Sequence, residues 1–357
     1  MSSPNSKKEN KFKPPAIEAY KSKQIDLFQT FLCNTDEQRE RLSNAIPLWD
    51  CLPKYSLSKR AADKLRRDNE LPSLLKLRSH YLGQEYEIII QPARFMKEDQ
   101  VNVVEHYPSS NEELIEDALR KIACIQNNGY FDDSRSGVSF TIYQLRKELE
   151  SQGHARSYQE VVLSLQILAN SIIRIKTSND KAQGFLDSAY FSHLSSVSKA
   201  KLHEDPNARW HIEFHPLITE AINSIDYRQF NYALMMSHTT HLARWLHKYL
   251  VLKFTYAAIG KTFEIRFSTI KRDSSLLDNY VRQRDAVKAM NEALAELRDH
   301  RLIFSIKEER ILGPRQQISD VVYTITPTME FSSEVRAANK RRSITNSSKN
   351  TCLTPLL

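Results

Sequence analysis

Between about residues 81 and 330, apolar positions fall into two segments that read alike. In the first, Leu114, Ile115, Ala118, Leu119, Ile122 and Ile125 recur at helical spacing behind Ser110 and Glu113, a capping-box pair, which predicts a helix with one buried face over 110–127. Thr141, with Gln144 three residues on, opens a second helix (Leu145, Leu149) that stops near Gly153. Ser157 opens a third, with Val161, Val162, Leu165 and Leu168 on one face. The run from Ile172 to Ile175 and the alternation Trp210, Ile212, Phe214 then predict two strands separated by a long polar insertion. In the second segment, Leu242, Trp245, Leu246 and Tyr249 mark a helix over 237–255, followed by a short strand over 263–267 and a short helix over 268–275. A long helix over 280–300 places Val287, Met290, Leu294 and Leu297 on one face, and residues 302–306 and 321–325 read as a hairpin across a polar loop, 307–320. Helix, short helix, long helix and hairpin is the winged-helix order, present twice. The predicted fold class is α+β, with one winged helix over 81–222 and another over 223–330.

The flanks read differently. Residues 1–80 mix basic clusters (Lys7, Lys8, Lys11, Lys13; Lys59, Arg60, Lys64, Arg66, Arg67) with short apolar pieces broken by Pro14, Pro15, Pro47, Pro53 and Pro72. This predicts a flexible, partly disordered, partner-binding extension. Residues 331–357, polar with Lys340, Arg341 and Arg342, predict a disordered basic tail.

Composition sharpens the picture. At 357 residues the chain suits two domains plus extensions, and its net charge of +8 makes an anionic partner the first expectation. The regional net charges are +6 over 1–80, −6 over 81–220, +4 over 221–330 and +4 over 331–357, so the positive charge avoids the first winged helix. Only 7 glycines leave little material for phosphate-cradling loops. Gly260-Lys261-Thr262 ends like a nucleotide-binding loop, but Thr255 stands where that loop needs glycine. The 4 cysteines are scattered, which fits reduced thiols in the cytoplasm, and no apolar run reaches the roughly 20 residues of a membrane span. His238, His241 and His247 on a helix, and His211 and His215 on a strand, lack partner cysteines or carboxylates. They read as polar surface histidines, so neither a metal nor a cofactor is expected.

In a helix-turn-helix the third helix enters the major groove with its N-terminal residues on base edges, while nearby basic groups hold phosphates. In the second segment Arg284, Lys288, Asn291 and Arg298 lie opposite the apolar stripe, with Asn279, Tyr280, Arg282 and Gln283 at the leading end. Arg suits guanine, and Asn or Gln suits adenine. Asp285, Glu292 and Glu296 on the same helix leave open a plain solvated face of mixed charge. Lys271 and Arg272 on the short helix, and Lys307, Arg310 and Arg315 on or beside the hairpin loop, suit phosphates or the minor groove. In the first segment the equivalent residues are Arg156, Ser157, Tyr158 and Gln159, with Arg146 and Lys147 on the preceding helix. The net −6 there predicts weaker, more local DNA contact, or self-association.

The stretch from Trp210 to Phe254 resembles theta-type plasmid replication initiators, the Rep family built from two winged helices. Ile212, Phe214, Pro216 and Leu217 match the strand and short helix that close the family's first domain. Phe230, Leu234, Ser237, Leu242, Ala243, Arg244, Trp245 and Leu246 match the phrase that opens its second, with Trp245 where the family commonly has Tyr. The resemblance covers roughly residues 81–330. It implies double-stranded origin DNA with direct repeats (iterons) as ligand, opening of an adjacent A+T-rich segment, recruitment of the host replicative helicase and host initiator, and autoregulation by a homodimer. Upstream, Gln24, Ile25, Asp26, Leu27 and Phe28 resemble the peptide by which bacterial proteins dock on the sliding clamp. The same segment could equally pack the extension onto the first domain, since Ile25, Phe28, Phe31 and Leu32 share helical spacing.

A DNA-nicking initiator needs a His-hydrophobic-His triplet beside a tyrosine; this chain has "HIEFH", and none of its 15 tyrosines stands beside such a pair. The expectation is a non-enzymatic initiator, with a winged-helix transcriptional regulator as the alternative.

Overall fold

A computed structural model describes residues 41–67, 74–96, 103–124, 128–132, 134–178, 183–197, 208–224, 226–314 and 317–352. The first winged helix starts with α2 (Ser110–Ala123), followed by β6 (Gly129–Phe131), β7 (Ser136–Phe140), α3 (Ile142–Ser151) and α4 (Tyr158–Asn170). Its sheet closes with β10 (Phe191–Val197) and β11 (Arg209–Phe214), antiparallel in the order β10-β11-β7-β6. Gly137 is fixed by close approach: a Cβ there would stand 2.1 Å from the Ile212 carbonyl oxygen and 2.4 Å from the Tyr130 ring. Thr141 caps α3 through the Gln144 N–H, and Ser157 caps α4 in a reciprocal box with Glu160. The cap of α2 lies one residue earlier than predicted, on Ser109 with Glu112. Glu113 is thereby freed for another role.

The second winged helix repeats the plan with α7 (His241–Lys253), β13 (Phe263–Arg266), α8 (Phe267–Ser274), α9 (Gln283–Asp299), β14 (Ile303–Leu312) and β15 (Ile318–Pro327). Its sheet order, β13-β15-β14, matches β7-β11-β10 in the first unit. In both, the strand that leads into the second helix (β7, β13) pairs with the last strand (β11, β15), which defines a winged helix independently of sequence. Most of the predicted polar loop 307–320 is strand, because β14 and β15 stay paired out to Leu312 and Ile318, with a register shift at Ile311–Leu312. The hairpin is therefore a long ribbon rather than a loop between short strands.

Three further expectations are corrected. The strand expected from Ile172 is β8 (Ile172–Ser178), which lies outside the winged-helix sheet: it pairs with β3 (Gln84–Gln91) on one side and β9 (Gln183–Ala189) on the other, and β2 (Leu75–Tyr81) pairs with β3, giving a separate sheet in the order β2-β3-β8-β9. The extension is not loose over 42–58. β1 (Leu42–Ala45) pairs with β12 (Arg228–Asn231), and Ile46, Trp49, Leu52, Tyr55 and Leu57 are buried. Finally, the tail continues as α10 (Met329–Cys352), and it buries Phe331, Val335 and Ala338. Isolated pieces of four or five apolar residues read as transient in a sequence, yet each finds a surface here that buries it. Between these lie α1 (Lys59–Arg67), the hairpin β4 (Ala93–Met96) and β5 (Val103–His106), and the short helices α5 (Pro216–Ser224) and α6 (Tyr232–Met236).

The two units meet through charge. Every residue of α2 from Asn111 to Ala123 is buried, including its polar face. Lys248 of α7 donates to Glu113 (2.8 Å) and Asp117 (3.0 Å), while Arg120 holds Asp50 through two bonds of 2.7 and 2.8 Å. Glu116 accepts from the Trp49 indole and the Tyr55 hydroxyl, both at 2.5 Å. Segment 42–58 thus docks on both winged helices at once.

Candidate nucleic-acid interface

The leading end of α9 is presented without packing. All residues from Asp278 to Asp285 are exposed, because α8 ends at Ser275 in the left-handed conformation (φ 52) and the chain swings outward before α9 begins. From Ala286 the apolar stripe, Val287, Met290, Leu294 and Leu297, holds the helix on the core. Arg284 and Lys288 then project from the opposite face with side chains 69 % and 76 % exposed. Among the described residues their ion pairs, to Asp285 and Glu292, are both 3.6 Å long. Exposed pairs of that kind contribute about 0–1 kcal/mol, so exchanging them for phosphate or a base edge costs little.

Facing this helix is the ribbon. Arg310 of β14 shares with Arg284, Lys288, Asn291, Val287 and Ile318 the lining of a groove of about 440 Å³. Glu308 organises it: its carboxylate accepts from Arg310 Nε at 2.6 Å and from Asn291 Nδ2 at 2.9 Å. Tyr323 donates its hydroxyl to Asn291 Oδ1 at 2.7 Å. Burial, reinforced by Glu308, pushes the Tyr323 pKa up, so that hydroxyl keeps its proton. Gln283 Nε2 donates to the Ser319 carbonyl at 3.2 Å, a second strut between helix and ribbon.

Two corrections follow for the second unit. Asn291, expected to read bases, is half-buried and both ends of its amide are engaged within the fold. It braces the ribbon instead. Alternation along β14 places Lys307 on the opposite side from Glu308 and Arg310, outside the groove. Arg272 is exposed but bound to Asp273 at 2.7 Å, and Lys271 is half-buried. Arg298 lies at the far end of α9 beside Asp299. Asn279, Tyr280 and Arg282 stand exposed at the leading end, whereas Arg315 lies outside the described residues.

The first unit is built for different contacts. Arg146 Nε donates to the Arg156 carbonyl at 2.9 Å, and Arg156 Nε to Asn111 at 2.6 Å, so this pair braces the turn between α3 and α4. Ser157 is spent as a cap and Tyr158 is half-buried against the core. Lys147 and Gln159 remain on the surface. The outward stripe of α4 is Gln159, Leu163, Gln166 and Asn170, with no charge on it. Its 4, 3, 4 spacing is legible in the sequence, but the stripe carries none of the basic residues that mark a DNA-facing surface. Glu308 likewise goes unmarked, although its alternation with Arg310 places both on one side of the strand.

Three of the five histidines are not surface groups, while His211 and His241 are half-buried. His215, His238 and His247 are buried; His215 stacks on Trp49 at 4.3 Å between ring centres, and His238 Nε2 lies 3.0 Å from His247 Nδ1. Burial pulls His215 down to about 3 and His238 down to about 4. Among the described residues no group of three or more His, Cys, Asp or Glu is arranged to hold a metal, and no helix is long and apolar enough to cross a membrane. Residues Gln24 to Phe28 lie outside the described residues.

No protein-family model and no curated protein matches the chain. Among solved structures, it is similar to domains 2–3 of RctB, with a TM-score of 0.44 and 12 % identity over 74 % of this chain and 95 % of that one. It is also similar to the Pi initiator protein in complex with iteron DNA, with a TM-score of 0.35 and 10 % identity over 82 % of this chain and 99 % of that one.

Proposed function

We infer that this protein is a replication initiator that binds double-stranded origin DNA sequence-specifically through its two winged helices. The observation that carries this reading is the leading half of α9. There Arg284 and Lys288 stand exposed across a groove from Arg310, in the position from which a winged helix reads the major groove. Arg284 and Gln283 contact base edges, and Lys288, Arg310 and Lys271 contact phosphates. The first winged helix adds Lys147, Gln159 and the uncharged stripe of α4. Because both units share one chain, each raises the effective concentration of the other at a repeat.

The resemblance of residues 210–254 to the Rep family extends this reading. Bound to direct repeats, the protein opens a neighbouring A+T-rich segment and brings in the host helicase and host initiator, with a homodimer limiting its own activity. Gln24 to Phe28 would engage the sliding clamp. The protein acts by binding, without a covalent step on DNA.

Footprinting on the DNA flanking its own gene, through a salt series, tests this. Protection of several direct repeats of about two helical turns, beside a permanganate-reactive A+T-rich stretch, is the expected result. A single protected inverted repeat over a promoter, with no opening, would make it a transcriptional regulator of the same fold. A tyrosine-DNA adduct formed in the presence of a divalent metal would make it a nicking enzyme.

A further inference from the structure

The eight exposed residues at the leading end of α9, Asp278 to Asp285, include one whose chemistry hydrogen bonding does not explain. Val281 is 100 % exposed, and Tyr280 beside it is 41 % exposed. Isolated apolar side chains on a surface are ordinary. This one, however, occupies a connecting turn where polar and small residues are usual. It is bracketed by Asn279, Arg282, Gln283 and Arg284, all exposed. It does not serve the helix either, since Arg282 is the N-cap and makes no side-chain cap bond, and the apolar packing of α9 begins at Ala286. Nothing in the packing of the second winged helix uses Tyr280 or Val281 as it uses Val287 or Met290.

The major-groove edge of DNA carries one apolar group, the C5-methyl of thymine. A valine held outward at the leading end of a reading helix, among groups that hydrogen-bond to base edges, matches that group in size and polarity. With Asn291 committed to Glu308 and Tyr323, base reading by this unit shifts toward the leading end, where Val281 stands. We propose that Val281 is a specificity residue that contacts the methyl group of one thymine in the bound sequence, with Tyr280 flanking it. This rests on the reading of α9 as the major-groove helix.

The test uses the full chain and a duplex selected with it from a randomised pool. Each thymine of the selected duplex is replaced singly by uracil, which removes only the methyl. Loss of one buried methyl corresponds to about a fourfold loss in affinity. The expected result is one position where uracil weakens binding of the wild-type protein by about that factor. At the same position Val281→Ser binds thymine and uracil duplexes equally, and it matches the wild-type protein on the uracil duplex. A uracil effect of unchanged size in Val281→Ser, or no sensitive thymine at all, overturns the proposal while leaving DNA reading by α9 intact. Failure of the pool to converge on any sequence overturns both. Because Val281 touches solvent only, the serine variant folds, and its unchanged melting temperature is the control.

Discussion

Arg284 and Asn291 sit two turns apart on one helix face and look interchangeable as base readers, yet their surroundings separate them. Arg284→Ala is expected to cost about 1 to 3 kcal/mol at the selected site and to relax preference at one base pair, measured by titration against single-base variants. Asn291→Ala leaves the Tyr323 hydroxyl and part of the Glu308 carboxylate without their partner. Its expected effect is a loss of about 1 to 3 kcal/mol in folding stability by urea denaturation, with the ranking of bound sequences unchanged. The exposure of Arg282, Gln283, Arg284 and Lys288 is legible in the sequence because the apolar stripe fixes the opposite face. The commitment of Asn291 was not, because its acceptor is 17 residues away on a strand whose register only the folded sheet sets.

At the scale of elements, α2 is the clearest case of a helix whose pattern tells half its story. The stripe from Leu114 to Ile122 predicted its apolar face; the opposite face, Glu113, Glu116, Asp117 and Arg120, reads as solvated. Folding buries it instead, because α7 and segment 42–58 bring Lys248, Asp50, Trp49 and Tyr55 against those charges. Removing one partner leaves uncompensated charge in the interior. Lys248→Ala is therefore expected to destabilise the fold by about 3 to 5 kcal/mol, read as a shift in the urea midpoint. Helix α10 makes a similar point. Ending the chain at Thr328 uncovers the surface that Phe331 and Val335 bury and removes the Asn339 partner of Arg228, so the truncated protein is expected to melt at a lower temperature.

For the molecule as a whole, two solution properties follow. Folding holds His215 and His238 well below the ordinary value near 6.5, to about 3 and about 4, because burial disfavours their charged forms. Their neutral forms therefore contribute stability that is complete above pH 6.5 and declines as the pH falls toward those values. Each unit of pH in that window removes up to about 1.4 kcal/mol per histidine. Urea unfolding at pH 7.5 and 5.0 measures the difference, and equal stability at the two would exclude it. The uneven charge has the second consequence: phosphate contacts are expected to concentrate on the second winged helix. Lys288→Ala is expected to lower the slope of log affinity against log salt by about one, whereas Glu160→Ala in the first unit leaves the slope unchanged.

Local order was decided by the sequence alone. Capping residues at Thr141 and Ser157, apolar spacing of 3 and 4, and alternation at Trp210 to Phe214 act within a few residues of one another, so they specify helices, strands and their winged-helix succession before any long-range contact forms. Which of the outward groups stay available was decided only by the tertiary structure. Burial of the charged face of α2, seating of segment 42–58 between the units, and capture of Asn291 by the ribbon all depend on groups distant in the chain arriving together. A low-dielectric interior makes such polar partnerships obligatory once they are closed off from water.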